Sequence, residues 1–179
     1  MSSTGLFGVD PEIRILVPRM RRTTLKHAKE GRPWMSSLGH NSPIGGGEIR
    51  VARVVRAQEE SISADELEER LRDASELGVT FPGWAEGEWM YDHFIEIPRQ
   101  QGGPLLGERI REQGLRVIFV GTQVFRKPPK GSVAAEVPRD GFPAILQGNK
   151  KLDFHVLPKD WSMHIFVACY IPNGVVLDD

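Results

Sequence analysis

Apolar residues recur at helical spacing most clearly between residues 64 and 77. They form one stripe along the predicted helix: Leu67, Leu71, Ala74 and Leu77. Ser63 and Glu66 precede or open this stripe with the spacing of a capping box. Gly78 follows the last apolar residue and suits a helix C-terminus. The pattern predicts a helix that buries one face and exposes the other.

A second helix is predicted over 104–113, because Pro104 suits a first helical turn and Gly114 suits the position just past the end. Between the two helices, the stretch 81–97 is rich in aromatic residues. We expect a turn at its start, followed by a short helix or irregular structure. These segments supply the helical part of the predicted fold.

Alternating apolar and polar positions, typical of strands, occupy several other stretches. The predicted strands are 12–17, 48–56, 115–125, 142–146, 151–157 and 163–170. Gly148 and Asn149 supply a turn that would join two of them, 142–146 and 151–157, into a hairpin. The C-terminal part is therefore predicted to be a β-meander.

The second hairpin of this meander is predicted from its apolar alternation. If 152–157 pairs with 163–170, Phe154 lies opposite Ile165 and both belong to one apolar face. The same register places His155 opposite His164 on the other face. A slip by one residue would bury the histidines among apolar side chains, so the pattern favours this pairing.

The segment 18–47 shows almost no apolar periodicity, and its first half is basic. From Arg14 to Arg32 the chain carries seven cations against one acid, Glu30. So little apolar surface cannot offset the ordering entropy of the segment. We therefore predict an extended arm that neighbouring molecules hold in place. The predicted partner-binding residues are Arg19, Arg21, Arg22, Lys26, Lys29, Arg32, Trp34, Met35 and Leu38.

Taken together, these elements predict an α+β fold in which an antiparallel sheet, with its C-terminal β-meander, packs against two helices. Residues 1–47 would form an N-terminal tail, a short strand and the extended basic arm. Residues 48–179 would form the domain, from which a proline- and charge-rich loop at 126–141 projects.

Charge is segregated along the chain. The net charge of −1 is the sum of +6 over residues 1–57, −9 over 58–112 and +2 over 113–179. A basic head beside an acidic middle indicates contact with an anionic partner, or head-to-middle contact between copies of the chain.

Other features of the composition concern location. No stretch approaches the roughly 20 apolar residues of a membrane span, and no secretory signal pattern is present. The single cysteine, Cys169, excludes an intramolecular disulfide. We expect no membrane contact and a location in the cytoplasm or in a particle assembled inside the cell. Because Cys169 falls on the apolar positions of its strand, we predict a buried structural cysteine.

One group could hold a metal. His155 and His164, with Asp153 on the same face, would suit Zn or Fe(II). No fourth ligand is evident, so we predict no bound metal and no cofactor. A small metal-dependent enzyme centred on the two histidines is kept as an alternative.

Two further groups have simpler structural interpretations. Asp92, His93 and Glu96 are interpreted as a surface group beside the aromatic cluster. The glycine-rich stretch from Gly102 to Gly107 lacks the Lys-Ser/Thr of a phosphate-binding loop. Since no linear catalytic motif is present, we lean against an enzyme without excluding one.

The leading hypothesis is a structural or interaction protein. It would be a component of a larger assembly, such as a virion or ribonucleoprotein particle, whose arms contact neighbouring subunits, including copies of itself. A third hypothesis is a nucleic-acid-binding accessory protein, in which the basic arm contacts phosphates and Trp34 stacks on a base. We favour an acidic protein surface, because no RNA-binding fingerprint accompanies the cations.

Overall fold

In the computed structural model, residues 5–40, 46–95, 103–126, 140–158, 161–162 and 164–177 are described. They form a mixed α+β fold with a mostly antiparallel sheet and four α-helices. The predicted fold class is confirmed at this level. Most of the loop predicted at 126–141 lies outside the described residues, which resume at residue 140.

The strands in the described residues are β1 (Ile15–Val17), β2 (Met35–His40), β3 (Gly47–Arg53), β4 (Ser61–Ile62), β5 (Arg116–Ile118), β6 (Thr122–Arg126), β7 (Asp140–Gln147), β8 (Leu152–Pro158), β9 (Trp161–Ser162) and β10 (Ile165–Cys169). The helices are α1 (Leu25–Ala28), α2 (Ala64–Glu76), α3 (Trp84–Met90) and α4 (Gly103–Gln113). A π-helical turn, Tyr91–Ile95, continues α3.

Strand β7 is the centre of the sheet. It pairs with β8 in the hairpin that the sequence predicted, with Ile145 opposite Phe154. The long strand predicted over 115–125 is instead two strands, β5 and β6, which pair with different parts of β7. Strand β8 occupies one edge of β7, and two branches, β5–β10–β3–β1 and β6–β2, start from different positions along its other edge.

The second predicted hairpin is wrong. Strand β10 lies between β3, to which it is antiparallel, and β5, to which it is parallel. Phe154 and Ile165 consequently belong to apolar clusters on opposite faces of the sheet. The apolar alternation was compatible with both arrangements, because alternation fixes the face of a strand but not its neighbour.

Helices cover both faces of the sheet. Helices α3 and α4 contribute Trp84, Met90, Leu106 and Ile110 to one apolar cluster. On the other face, α2 contributes Leu67 and Ala74 to the second cluster. The capping box predicted for α2 is present in part, because the Ser63 hydroxyl accepts a hydrogen bond from the Glu66 backbone amide at 3.2 Å.

Gly87 allows α3 to lie close to the sheet. A Cβ atom at this position would come within 2.8 Å of the Phe119 ring. At the start of the same helix, the Gly83 backbone amide donates to the buried carboxylate of Glu86 at 2.9 Å. Helix α3, with this close approach at Gly87 and this cap at Gly83, forms one side of the cleft described below.

Part of the segment predicted as a projecting arm, 18–47, belongs to the sheet, because β2 pairs with β6 over Met35–His40. Strand β1, which lies in the short strand predicted over 12–17, pairs with β3 just before this segment. Ala28 and Met35 are fully buried in the first apolar cluster. The prediction failed because strand pairing satisfies the backbone of a mostly polar segment without requiring many apolar side chains.

Arg32 and Trp34 attach the segment to the rest of the fold. The guanidinium group of Arg32 lies 5.1 Å from the ring centroid of Trp84 and donates to the Phe154 carbonyl oxygen at 3.4 Å. Arg126 covers the Trp34 ring at 4.7 Å. Arg32 and Trp34, both predicted to bind a partner, therefore make contacts within their own chain.

Arg70 ties α2 to the loop after β3. It is 7% exposed and forms a two-pronged ion pair with Glu59 at 2.7 and 2.8 Å. It also donates to the Glu66 carboxylate and the Val54 carbonyl oxygen. The pKa of Glu59 is lowered from 4.5 to about 2, chiefly by the Arg70 hydrogen bonds and also by the Arg56 backbone amide, against the opposing effect of burial.

Replacing Arg70 by Met is expected to lower the free energy of unfolding by about 3 kcal/mol at pH 7, because partly buried carboxylates and a carbonyl lose their donor. The stabilisation from Glu59 is fully present above pH 4.5 and is lost as the pH falls towards 2. The Arg70→Met variant should therefore lose less stability over this range. Urea unfolding at several pH values measures both effects.

The matched control is Arg72→Met, which removes an exposed arginine from the same helix. It should change stability by less than about 0.5 kcal/mol. Equal acid sensitivity of wild type and Arg70→Met would contradict the assigned role of the Glu59 pair.

Candidate functional site

The exposed part of the segment that the sequence predicted as an arm borders a cleft. Four of the predicted partner-binding residues, Arg19, Arg21, Arg22 and Lys26, are exposed, whereas Met35 is buried and unavailable to a partner. Leu38 and Lys29 are half-buried. We refer to residues 19–29 as the basic segment.

The cleft lies between the basic segment and α3 with its π-helical turn, and its volume is about 360 Å³. We call it the α1–α3 cleft. One side consists of Met20, Arg21, Arg22, Thr23, Thr24 and His27, and the other of Ala85, Glu88, Trp89, Asp92 and His93. The volume falls in the range of small-molecule sites, which is about 300–1,000 Å³.

His27 and Glu88 connect the two sides. The Nε2 atom of His27 lies 2.7 Å from Oε1 of Glu88. Since a carboxylate oxygen can only accept a hydrogen bond, Nε2 of His27 must be the donor. Nδ1 of the same ring takes no part in this contact. The Trp84 indole donates to the second oxygen of Glu88 at 3.4 Å. Both carboxylate oxygens are thus engaged, which orients the His27 ring.

His93 is oriented in a comparable way. Its Nδ1 donates to the Trp89 carbonyl oxygen at 2.9 Å, and its ring stacks on the Trp89 ring with centroids 4.5 Å apart. Because a carbonyl oxygen only accepts, Nε2 is the nitrogen left for other contacts. Asp92 and His93 stand on the π-helical turn, a feature frequent at functional sites.

A partly buried polar contact lies next to the basic segment. The Nδ1 atom of His40 is 3.3 Å from the Thr122 hydroxyl, which also accepts from the Trp84 backbone amide at 2.9 Å. Burial lowers the pKa of His40, and the positive charge of Arg22 lowers it further. Both effects favour the neutral form of this histidine, which connects β2 to the start of α3.

The predicted histidine pair is not brought together. His155 is on β8 and His164 precedes β10, and these strands are three sheet positions apart, about 14 Å at the usual strand spacing. His155 has Asp153 within 3.5 Å. Within the described residues, no three His, Cys, Asp or Glu side chains are arranged to hold a metal ion.

Cys169 is fully buried, as predicted. Burial raises the pKa of its thiol to about 12, so the thiol stays protonated at neutral pH and is a poor nucleophile. Glu96 and Gly102, which the sequence also singled out, lie outside the described residues.

Comparison with known proteins gives no relative: no family model, curated protein or solved structure matches this chain. The described helices include none long and apolar enough to cross a membrane. The α1–α3 cleft therefore has to be interpreted from its own geometry.

Sequence reasoning missed this cleft because its two sides are about 60 residues apart in the chain. His27 drew no attention within a segment interpreted as an arm, and His93 was interpreted as a surface group. The available signal was a pair of short stretches, 21–27 and 88–93, that each contain charged residues and a histidine. Nothing in the sequence indicates that these stretches face each other.

Proposed function

We propose that this protein is a component of a larger assembly and that its basic segment docks onto an acidic protein surface of a neighbouring subunit. The observation that carries the proposal is the exposure of Arg19, Arg21 and Lys26 on a backbone that β1 and β2 hold in place on either side. A positive surface that is already ordered loses little conformational entropy on docking.

The proposed counterpart is the outer face of α2 in a second copy of the chain. Leu67 and Ala74 of this helix are buried, whereas Asp65, Glu69 and Glu76 are exposed. Glu69 and Glu76 are two turns apart and lie on one side of the helix. A basic segment that meets the acidic helix of the next copy forms a head-to-tail contact, which produces rings or filaments.

The competing hypotheses have less support. The metal-dependent enzyme required His155 and His164 to share a site, and the sheet separates them. The nucleic-acid hypothesis relied on an extended arm with Trp34 available for stacking, but Arg126 covers the Trp34 ring. Phosphate contacts by the exposed cations are an outcome that the following experiment detects.

Light scattering after size exclusion is expected to show concentration-dependent association of the wild-type protein at low salt and its loss at high salt, since exposed charges are screened over about 10 Å at 0.1 M. The double variant Arg19→Glu, Lys26→Glu should remain monomeric. So should Glu69→Lys, Glu76→Lys. An equimolar mixture of the two should associate again into rings or filaments in which the variants alternate, because each contact between unlike variants then joins opposite charges.

The matched control is Lys150→Glu, Lys151→Glu, which makes the same charge change at exposed positions in the β7–β8 turn. It should associate like the wild type. A wild-type monomer at every concentration and salt would refute the self-docking proposal. A high ratio of absorbance at 260 to 280 nm that falls in the Arg19/Lys26 variant would instead favour nucleic acid.

A further inference from the structure

His40 is a half-buried histidine at the point where β2, β6, the start of α3 and the basic segment meet. It ends β2 and stands opposite Thr122 in the register of β2 with β6. Its Nδ1 atom lies 3.3 Å from the Thr122 hydroxyl, and the ring also hydrogen-bonds to the backbone of Thr23 in the basic segment. The basic segment is therefore joined to the sheet through a side chain of the type that titrates near neutral pH.

The contact with Thr122 requires a neutral ring. Thr122 is 1% exposed, and its hydroxyl oxygen accepts from the Trp84 backbone amide at 2.9 Å. A hydroxyl has a single hydrogen, which it can donate to Nδ1 of His40 only when that nitrogen carries no proton. In protonated His40 both ring nitrogens are donors, so the buried hydroxyl hydrogen of Thr122 would lose its acceptor.

Two charged groups act on His40 from the elements packed against it, Arg22 of the basic segment and Glu86 of α3. Burial and then Arg22 oppose protonation of the ring, whereas the Thr23 backbone and Glu86 favour it. The first two effects are the larger, so the pKa of His40 lies below the usual value of 6.5. Glu86 is already engaged, because it accepts from the Gly83 backbone amide at 2.9 Å.

The basic segment buries few side chains. Among residues 19–29 only Ala28 is buried, so a local opening of this segment exposes little apolar surface. Its α1 part is attached to α3 by the contact of 2.7 Å between His27 and Glu88. Protonation of His27 leaves this contact in place, since Nε2 remains a donor. The residues that precede α1 lack such a contact, and acid acts on them through His40.

We propose that His40 is a pH-sensitive latch, which holds residues 20–24 against the start of α3 when its ring is neutral and releases them when the ring is protonated. Since Met20 to Thr24 line the α1–α3 cleft, release opens one side of the cleft while α1 stays attached. Because folding lowers the pKa of His40, the latch is fully closed above pH 6.5 and loses stability as the pH falls below that value. The latch acts within one chain and does not depend on the proposed docking to a neighbour.

The test follows the full chain by NMR between about pH 7.5 and about pH 5, at high salt to prevent self-association. The ring resonances of His40 should titrate with a midpoint below 6.5, and the neutral ring should carry its proton on Nε2. Backbone order parameters of residues 20–24 should fall from about 0.85 to below about 0.6 with the same midpoint. Those of α1 should change little.

Variants separate the titration of His40 from its packing. His40→Asn does not titrate but keeps an oxygen that can accept from the Thr122 hydroxyl, so residues 20–24 should stay ordered at both pH values. Arg22→Gln removes a charge that opposes protonation and should move the His40 midpoint towards 6.5. The matched control, His155→Asn, removes a histidine that is 59% exposed and should leave the response unchanged. Thermal melts establish that each variant is folded.

Order parameters of residues 20–24 that stay constant with pH in the wild type would overturn the proposal. So would a pH response that persists in His40→Asn, or a His40 midpoint at or above 6.5. If His40→Asn does not fold, the Arg22→Gln midpoint decides, because an unchanged midpoint would contradict the assigned electrostatics. Arg19 and Lys26 are not among the groups that act on His40, so the charge-reversal variant that tests assembly should keep the pH response. The two proposals can therefore fail independently.

Discussion

A chain that lacks residues 1–40 is expected to lose its cooperative unfolding transition. The deletion removes β1 and β2 and exposes the paired edges of β3 and β6. It also removes several buried apolar side chains: Leu6, Phe7, Ile13, Ile15, Val17, Ala28 and Met35. Each large apolar residue lost from a core typically costs about 2–5 kcal/mol, so their sum exceeds the stability of an ordinary domain.

Circular dichroism during heating measures this result, and paired point variants show whether it is specific. Ile15 is fully buried, and its neighbour Leu16 is 51% exposed. Ile15→Ala should therefore cost about 2–5 kcal/mol and Leu16→Ala less than about 1 kcal/mol. A truncated chain that keeps a native spectrum and a sharp melt would restore the interpretation of this segment as a detachable arm.

Phe154→Ala is expected to lower the free energy of unfolding by about 3–5 kcal/mol. Phe154 is 9% exposed at the centre of an aromatic group. Its ring centroid lies 5.2 Å from that of Trp84 in an edge-on arrangement, 6.1 Å from Tyr91 and 6.5 Å from Phe119. Truncation of Phe154 leaves a cavity between the rings of Trp84, Tyr91 and Phe119.

His155→Ala tests the opposite face of the same strand. The His155 side chain is 59% exposed, so its removal should cost less than about 1 kcal/mol. Urea unfolding gives both values under the same conditions. Comparable losses at Phe154 and His155 would contradict the burial of only one face of β8.

The sequence predicted the elements whose determinants are local. Helix α2 has its apolar stripe and the Ser63 cap within a few residues, and the β7–β8 hairpin has its turn residues between its strands. The burial of Cys169 followed from the alternation of β10 alone. Each of these predictions required only the periodicity of one element and the residues at its ends.

Long-range pairing was not predictable in this way. Strand β10 is separated from β3 by more than 100 residues, yet it pairs with β3 rather than with the strand that precedes it. Strand β2 was missed because it buries few side chains, and its pairing with β6 provides most of its contacts. The pairing of β10 with β3 and that of β2 with β6 both depend on which strand edge is available in the folded sheet. The sequence of one segment does not determine this.

The candidate site was predicted only in part for the same reason. The cations Arg21 and Arg22 were singled out by their charge, but their position opposite Glu88 and Asp92 follows from the packing of the basic segment against α3. The sequence-based hypothesis assigned Arg21 and Arg22 to contacts with a neighbouring subunit. The structure also places them at the edge of a cleft within their own chain.

The position of β10 has a consequence for synthesis of the protein. Strand β3 can pair with β1 as soon as both have left the ribosome, but its other edge belongs to β10, which follows more than 100 residues later. At about 5–20 residues per second, that edge stays open for roughly 10 s. An unpaired strand edge is a template for aggregation. The sheet of the nascent chain therefore stays incomplete during most of its synthesis. We expect a chaperone that protects the nascent chain to bind at the open edge of β3.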